Sequence, residues 1–381
     1  MIYLDNAATT WPKPVGVYEA VSDALMNKGG NPGRSAHKTS VAAGKVLDSV
    51  RFSLARLLGV RDPNRIVFAL NATDALNLAI GGVLSPGDHA VTSSMEHNSV
   101  TRPLEHMAKG GLEYTRIRMD PVAGVDPRDV EKALRPNTKL VVLTHASNIA
   151  GTVNPVADIG ALCRERGVFF LVDAAQSAGS LPIDVEAMNI DLLAFPGHKG
   201  LFGPTGTGGL YIAEGVDVNP ARYGGTGVFS EFPLQPDELP FRYESGTQNF
   251  HGLAGLDAGV RFIADKGTDA IHSHELRLVN LLTDGLHDIP EVTVYGPPPG
   301  AERAAVVSLN IKGMNCAEAA LILDASFDIA IRSGLHCAPD AHRTLGTFEL
   351  GGTLRVSPGF FNTDEDIARC VEGIAEIARE A

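Results

Sequence analysis

Two kinds of apolar run alternate through the first half of the chain. Residues 65–69, His89–Ser93, 139–144 and 168–173 are short, almost continuously apolar and closed by polar turns. Between them, apolar residues recur at helical spacing over residues 75–83 and 159–166. A strand apolar on both faces cannot turn either face to water, so the alternation predicts a mostly parallel sheet with helices packed on both sides. Ligands of such sheets bind beyond the carboxyl ends of the strands, and chemistry is expected there.

From about residue 255 the pattern changes. One long helical stretch, residues 256–286, leads to a strand at 291–295, a glycine- and proline-rich turn at 296–300 and a strand at 305–310. A last helix over residues 363–381 is entered through Asn362-Thr363, with acidic side chains in its first turn. The expected architecture is α/β, with a large domain over residues 15–255 and a smaller α+β domain built from residues 1–14 and 256–381. No internal repeat or low-complexity linker interrupts it.

Charge narrows the classes of function. The 32 basic and 45 acidic residues leave a net charge of −13, which favours solubility and speaks against nucleic acid or an anionic membrane as partner. No apolar run approaches the ~18 residues of a spanning helix. Met1-Ile2-Tyr3-Leu4-Asp5 has no basic region ahead of an apolar one, so no secretory signal is expected and a cytoplasmic location is. Four cysteines in 381 residues are too few for a disulfide framework. They are expected as reduced thiols, any of which can be a nucleophile. No metal-ligand set is assigned.

The strongest local signal for chemistry is Phe195-Pro196-Gly197-His198-Lys199. A lone lysine is ordinarily a solvated surface charge. This one sits between the apolar Leu192-Leu193-Ala194 and the glycine-rich run from Gly203 to Gly209, which predicts a buried strand end. Desolvated there, Lys199 gives up its proton readily and becomes the amine nucleophile that a carbonyl cofactor requires. The glycine-rich run matches neither a dinucleotide fingerprint nor a phosphate loop. Asp173 ends an apolar strand upstream. An aspartate in that place is often a turn residue, but at the base of a ligand crevice it can keep a pyridine nitrogen protonated and make the ring an electron sink.

Leu171-Val172-Asp173-Ala174-Ala175-Gln176 followed by Gly197-His198-Lys199 resembles the motifs of fold-type I, class V aminotransferase-like pyridoxal-phosphate enzymes. The cysteine desulfurase and selenocysteine lyase branch is the most similar. The likeness runs through Tyr3 to Thr10, Asn71 to Asn77, Glu96-His97-Asn98, Ser147 to Thr152, Arg242 to Thr247 and Arg332 to Cys337. It implies a large pyridoxal 5'-phosphate domain with a mostly parallel sheet and a smaller C-terminal α+β domain. It implies that Lys199 holds the cofactor, that Asp173 faces its ring nitrogen and that His97 stacks on the ring. Asn148 and Gln176 are implied at the phenolic oxygen, and Ala72, Thr73 and His198 at the phosphate. Thr247 is implied to reach the phosphate from the partner subunit of a homodimer. Either amide could equally satisfy backbone, and Ala72-Thr73 is otherwise an ordinary turn. Pro196 stands where many relatives have a phosphate-binding hydroxyl, which shifts that task to Thr73, His198 and Thr247.

Cys337 distinguishes the reactions. Cys163, Cys316 and Cys370 sit in helical contexts where a small buried hydrophobe is expected. Cys337 lies in the loop-like Gly334-Leu335-His336-Cys337-Ala338-Pro339, with Arg332 and His336 nearby, where positive charge favours thiolate. An aminotransferase has no need of that thiol. The resemblance places the substrate against Arg355, whose guanidinium can hold an α-carboxylate, and against Ala8 and His37. The short Cys337-to-Arg355 spacing is similar to that of group II desulfurases, whose extra β-hairpin is expected over residues 228–241. Leu335 replaces a histidine usual in relatives. The reaction implied is L-cysteine to L-alanine. Its sulfur is held as a persulfide on Cys337 and passed to an acceptor protein or thiol reductant, a supply of the kind iron–sulfur cluster assembly draws on. The rival readings are a selenocysteine lyase acting on L-selenocysteine, another class V aminotransferase or lyase, and a non-catalytic sulfur-relay scaffold.

Overall fold

The computed structural model describes residues 1–32 and 37–381. A short strand, β1 (Ile2–Tyr3), and two helices, α1 (Val15–Asn27) and α2 (Lys38–Leu58), precede the main sheet. The chain then alternates as the apolar pattern requires. It runs β2 (Ile66–Ala69), α3 (Ala72–Val83), β3 (His89–Ser93), α4 (Asn98–Ala108), β4 (Glu113–Ile117), α5 (Pro127–Ala133), β5 (Thr138–Thr144), α6 (Val156–Arg166), β6 (Phe169–Asp173), β7 (Leu192–Pro196) and β8 (Gly208–Ile212). These strands form one seven-stranded sheet in the order β2-β8-β7-β6-β5-β3-β4, in which β8 alone runs against its neighbours.

Both faces of that sheet are covered, which is why its strands are apolar throughout. Val141, Leu143, Phe170, Val172, Leu193 and Phe195 join Leu54, Ile159 and Leu256 in the core on one side. The alternate residues Leu140, Val142, Leu171, Leu192 and Ala194 join Leu76, Ile80, Val100 and Leu104 on the other. Helix α3 starts three residues before the apolar periodicity does, because the Asn71 side chain caps it by accepting from the Asp74 N–H at 2.9 Å.

The expected single helix over residues 256–286 is two helices, α7 (Phe250–Lys266) and α8 (Thr268–His287). Gly267 separates them at φ +85°, a left-handed conformation that side chains resist. The break redirects the chain: Leu253, Leu256 and Val260 of α7 face the large sheet's core, and Leu278, Leu282 and Leu286 of α8 face a second one. That second core lies under the antiparallel sheet β12-β13-β10-β9, whose strands are β9 (Val292–Tyr295), β10 (Val307–Ile311), β12 (Arg332–Gly334) and β13 (Thr353–Val356). Helices α9 (Cys316–Phe327), α10 (Pro339–Leu345) and α11 (Asp364–Glu380) accompany it, and β11 (Ile329–Ala330) pairs in parallel with β1. Strand β10 starts two residues later than expected. The buried Arg303 donates to the carbonyls of Pro297, Ala150 and Val306 and holds the preceding residues in a turn. Helix α11 is entered as expected, with Thr363 and Asp366 forming a reciprocal capping box.

Residues 228–241 contain no strand, so the expected β-hairpin is not formed. Pro233, Pro236 and Pro240 remove ladder donors along this stretch, which runs as bends and turns with Phe232 and Leu234 exposed.

The N-terminal segment ties the two cores together beside Lys199. Leu4 donates to the Ala330 carbonyl and accepts from the Ser357 N–H, at 2.9 and 2.7 Å. A few residues on, Thr9, Thr10 and Lys13 all donate to the carbonyl of His198. Gly267→Ala should lower stability by about 1 kcal/mol in chemical denaturation, the cost of a side chain at positive φ, because nothing lies within 4 Å of the new methyl.

Candidate active site

In a sheet covered on both faces, polar side chains can gather only where the strands end. The carboxyl ends of β3, β5, β6 and β7 lie along one edge, and a cavity of about 280 Å³ opens there. Its walls bring together Ala8, Ala72, Thr73, His97, Asn148, Asp173, Gln176, Pro196, His198 and Lys199, which the sequence analysis had expected as cofactor and substrate contacts or, for Pro196, as a departure from them. Thr247 and His37 lie elsewhere. Thr247 lines two other cavities beside Gln248, and His37 caps α2 by accepting from the Ser40 N–H at 3.2 Å.

Lys199 follows β7 by three residues. Burial, reinforced by the guanidinium of Arg355, brings its ammonium down to about 8, against the pull of Asp173. Gly179, at φ +91°, packs against the Gly200 carbonyl so closely that a Cβ would lie 2.4 Å from it, and so fixes the segment after Lys199. Asp173 is 2% exposed, and burial raises its pKa even though its Oδ1 accepts from the Ala175 N–H at 2.9 Å and Lys199 lies near. A protonated ring nitrogen in the cavity would supply the counter-charge that this carboxylate lacks.

His97 caps α4, with Nδ1 2.8 Å from the Ser99 hydroxyl, which in turn lies 2.7 Å from the Thr73 hydroxyl. Burial and then the Lys199 charge push its pKa down to about 4, so its ring is neutral. The His198 ring is neutral for the same two reasons, and among the described residues its buried Nδ1 has no partner. An unpartnered nitrogen, the Thr73 hydroxyl and the open first turn of α3 suit an anionic oxygen cluster such as phosphate. Asn148 Nδ2 donates to the His336 carbonyl at 2.9 Å, and Gln176 Nε2 to the Ala7 carbonyl at 3.1 Å. The residues therefore fit a phosphorylated pyridine carrying a carbonyl.

Cys337 is the exposed cysteine; Cys163, Cys316 and Cys370 are buried in helices, with burial pushing the thiols of Cys163 and Cys370 up to about 12. It lies in the turn between β12 and α10, where His336 and Cys337 both adopt positive φ, +46° and +59°. Two such residues in succession are strained and persist only because neighbours hold them. The holds are Asn148 to the His336 carbonyl, the Asn98 N–H to the Cys337 carbonyl at 2.8 Å, and His336 Nε2 at 3.0 Å from the Thr353 carbonyl. The Sγ lies 3.9 Å from Arg332 Nη2, whereas His336, expected to add positive charge, is buried and held neutral, first by burial and then by Arg355. Cys337 lines a groove of about 440 Å³ that shares Thr73, His97 and Ser99 with the Lys199 cavity.

Arg355, on β13, is 1% exposed rather than a surface charge. Its Nη1 donates to the Asn148 carbonyl at 3.2 Å and its Nη2 to Asp5 Oδ1 at 2.9 Å.

Sequence reasoning assigned no role to Asp5, Lys13, Glu96, Ser99 or Glu275. Glu96 is 1% exposed, accepts from the Ser93 hydroxyl and the Thr144 N–H, and is pushed up to about 8, mainly by burial. Its place beside His97 at the end of β3 was the available signal. Glu275 gave none: it sits mid-helix in α8, 8% exposed, in a small cavity it shares with Lys199 and Gln176.

The chain is similar to known proteins over nearly its whole length. Residues 2–370 match the class-V aminotransferase family. A probable cysteine desulfurase of Methanothermobacter thermautotrophicus is 35% identical over 99% of this chain and 94% of its own. The cysteine desulfurase of Haloferax volcanii is 32% identical over 100% and 90%. Among solved structures, the apo cysteine desulfurase of Thermococcus onnurineus NA1 superposes with a TM-score of 0.93 at 35% identity, covering 100% of this chain and 95% of that one. The cysteine desulfurase CsdA of Escherichia coli gives 0.89 at 28% identity, covering 100% and 94%.

Burial holds the Glu275 carboxyl at about 8 in the folded chain, against about 4.3 when unfolded. Between these values the native state keeps a proton that the unfolded state releases, so stability falls as pH rises toward 8. Glu275→Gln, neutral throughout, should gain on the wild type by on the order of 1–3 kcal/mol between pH 5 and pH 8.5 in denaturant unfolding. A constant difference across that range would show that the carboxyl is ionised in the folded protein.

Proposed function

This chain belongs to the class-V aminotransferase family and, within it, to the cysteine desulfurases, and on that premise we propose that it takes sulfur from L-cysteine, releases L-alanine and carries the sulfur as a persulfide on Cys337. The observation that carries the reading is the adjacency of two nucleophiles: Lys199 and Cys337 line neighbouring cavities that share three residues. An aminotransferase uses the first and has no use for the second.

Pyridoxal 5'-phosphate is the cofactor that the cavity's residues suit. Lys199 and Asp173 would hold its carbonyl and ring nitrogen, His97 its ring face, Asn148 and Gln176 its phenolic oxygen, and Ala72, Thr73 and His198 its phosphate. Bound there, it supplies an electron sink for charge developing at the substrate's Cα. Lys199, with a pKa near 8, is partly unprotonated at neutral pH and would be the group that takes the Cα proton. Arg355 holds the substrate carboxylate, with Ala8 beside it. The Cys337 thiolate attacks the substrate sulfur. The S–S bond forms as the C–S bond breaks, and the bonding pair goes to the carbon that becomes the alanine methyl, where a proton is taken up.

Residues 15–255 form the cofactor domain in this reading, and residues 1–14 with 256–381 the smaller one, the join falling within α7. A homodimer is part of the proposal, supported by the likeness of Thr247 to residues that reach a partner's phosphate, and His37 is kept as a substrate contact. The persulfide passes to an acceptor protein or thiol reductant, feeding sulfur to processes such as iron–sulfur cluster assembly. No helix among the described residues is long and apolar enough to cross a membrane, the net charge of −13 speaks against nucleic acid as a partner, and a cytoplasmic location is part of the proposal.

Lys199→Ala should abolish alanine release from L-cysteine and the borohydride-reducible link between protein and cofactor, read by absorbance near roughly 420 nm. A reducible link surviving in that variant would move the assignment to another lysine.

Cys337→Ser should still bind L-cysteine but lose alanine release and the sulfur-mass adduct on its peptide, because a hydroxyl is far less nucleophilic than a thiolate. Unchanged alanine release from L-cysteine would overturn the persulfide route. Release from L-selenocysteine alone, in the wild type, would favour a selenocysteine lyase.

A further inference from the structure

Arg355 is not an idle cation waiting for a carboxylate. Its guanidinium already has one, in the single contact from Nη2 to Asp5 Oδ1 at 2.9 Å. The side chain of Arg355 is 2% exposed and that of Asp5 is 21%, so the carboxylate is the more open member of the pair. Arg355 is absent from the walls of the Lys199 cavity, which instead include Ala8 and Asn148, the residue whose carbonyl Arg355 holds. Its Nε is buried and, among the described residues, has no hydrogen-bond partner. A guanidinium gripped in bidentate fashion would use two donors on one edge, so the hold of Asp5 is incomplete.

We propose that Asp5 occupies Arg355 in place of the substrate carboxylate and so sets how loosely this protein holds α-amino acids. The proposal rests on the reading of Arg355 as the carboxylate holder. An incoming α-carboxylate meets a guanidinium already half neutralised, with a like charge beside it, and must share or displace Asp5. Substrate and product carry the same carboxylate and the same amine, so strong binding at Arg355 would be uniform, favouring L-alanine as much as L-cysteine. The counter-charge weakens both alike and keeps the site from filling with its own product. The Asp5 side chain accepts no other hydrogen bond among the described residues, though its charge also acts on Lys199 and Tyr3.

The test uses holoenzyme. Asp5→Asn keeps an acceptor of the same shape and removes the charge. The KM for L-cysteine and the dissociation constant of L-alanine, measured by calorimetry, should both fall by roughly five- to tenfold, the scale expected for removing a like charge a few ångströms from a bound carboxylate. Binding of cysteamine, which lacks the carboxylate, should not change. Asp5→Ser has the same sign of effect if the asparagine variant does not accumulate. A residue that merely supported Arg355 would raise these constants when replaced, so a rise, or no change, overturns the proposal. Arg355→Gln separates the two readings. If it raises the KM for L-cysteine while Asp5→Asn leaves it unmoved, only the role of Asp5 fails. If it leaves the KM unmoved, Arg355 is not the carboxylate holder.

Discussion

Charges that meet at the carboxyl edge of the main sheet, Asp173 and Lys199 after its strands and Arg332, Arg355 and Asp5 from the smaller domain, have to be neutralised by one another, because little water reaches a crevice between two apolar cores. Lys199, Arg355 and Arg332 stand against Asp173 and Asp5 within one crevice. A buried charge without a partner costs several kcal/mol, and the pKa directions record how each group meets that cost. Lys199 comes down toward neutrality, Asp173 goes up, and the rings of His97 and His198 stay unprotonated. The same physics that makes the crevice costly gives an amine able to act near neutral pH and a carboxylate in want of a cation.

The remaining architecture serves to keep these groups in register. Thr9, Thr10 and Lys13 converge on a single carbonyl, that of His198, so the N-terminal segment pins the peptide before Lys199. That segment also carries Asp5 to Arg355 and joins β1 to the smaller domain's β11. One stretch of fewer than fifteen residues thus sets Lys199, Arg355 and the relation of the two cores.

The loop bearing Cys337 works on a different principle. The lysine is fixed by burial, whereas the thiol is exposed and its backbone is held in two successive left-handed conformations by hydrogen bonds from Asn98 and Asn148. Asn148 lines the Lys199 cavity, so one residue both faces that cavity and fixes the turn that carries the thiol. An exposed sulfur beside a groove can meet both a substrate within and an acceptor outside, which the three buried cysteines cannot.

What the chain alone determined was whatever depends on local order: strands apolar on both faces, the helix entered through Thr363, and a lysine and an aspartate at the ends of such strands. Their placement follows from the parallel rule, since strands that must be covered on both sides can offer polar groups only at their ends. The positions of Lys199, Asp173 and His97 were legible for that reason, aided by motif order, and the exposure of Cys337 from its loop-like surroundings. Three features needed the tertiary structure. A 31-residue helical periodicity over residues 256–286 does not say that Gly267 takes φ +85° and sends its halves to different cores. Three prolines in residues 228–241 overrode a hairpin expected from resemblance. The pairing of Asp5 with Arg355 spans 350 residues, and the buried Glu275 and Glu96 look in sequence like ordinary acids. Burial and long-range pairing belong to the packed chain, because they depend on which surfaces meet, and no local pattern records that.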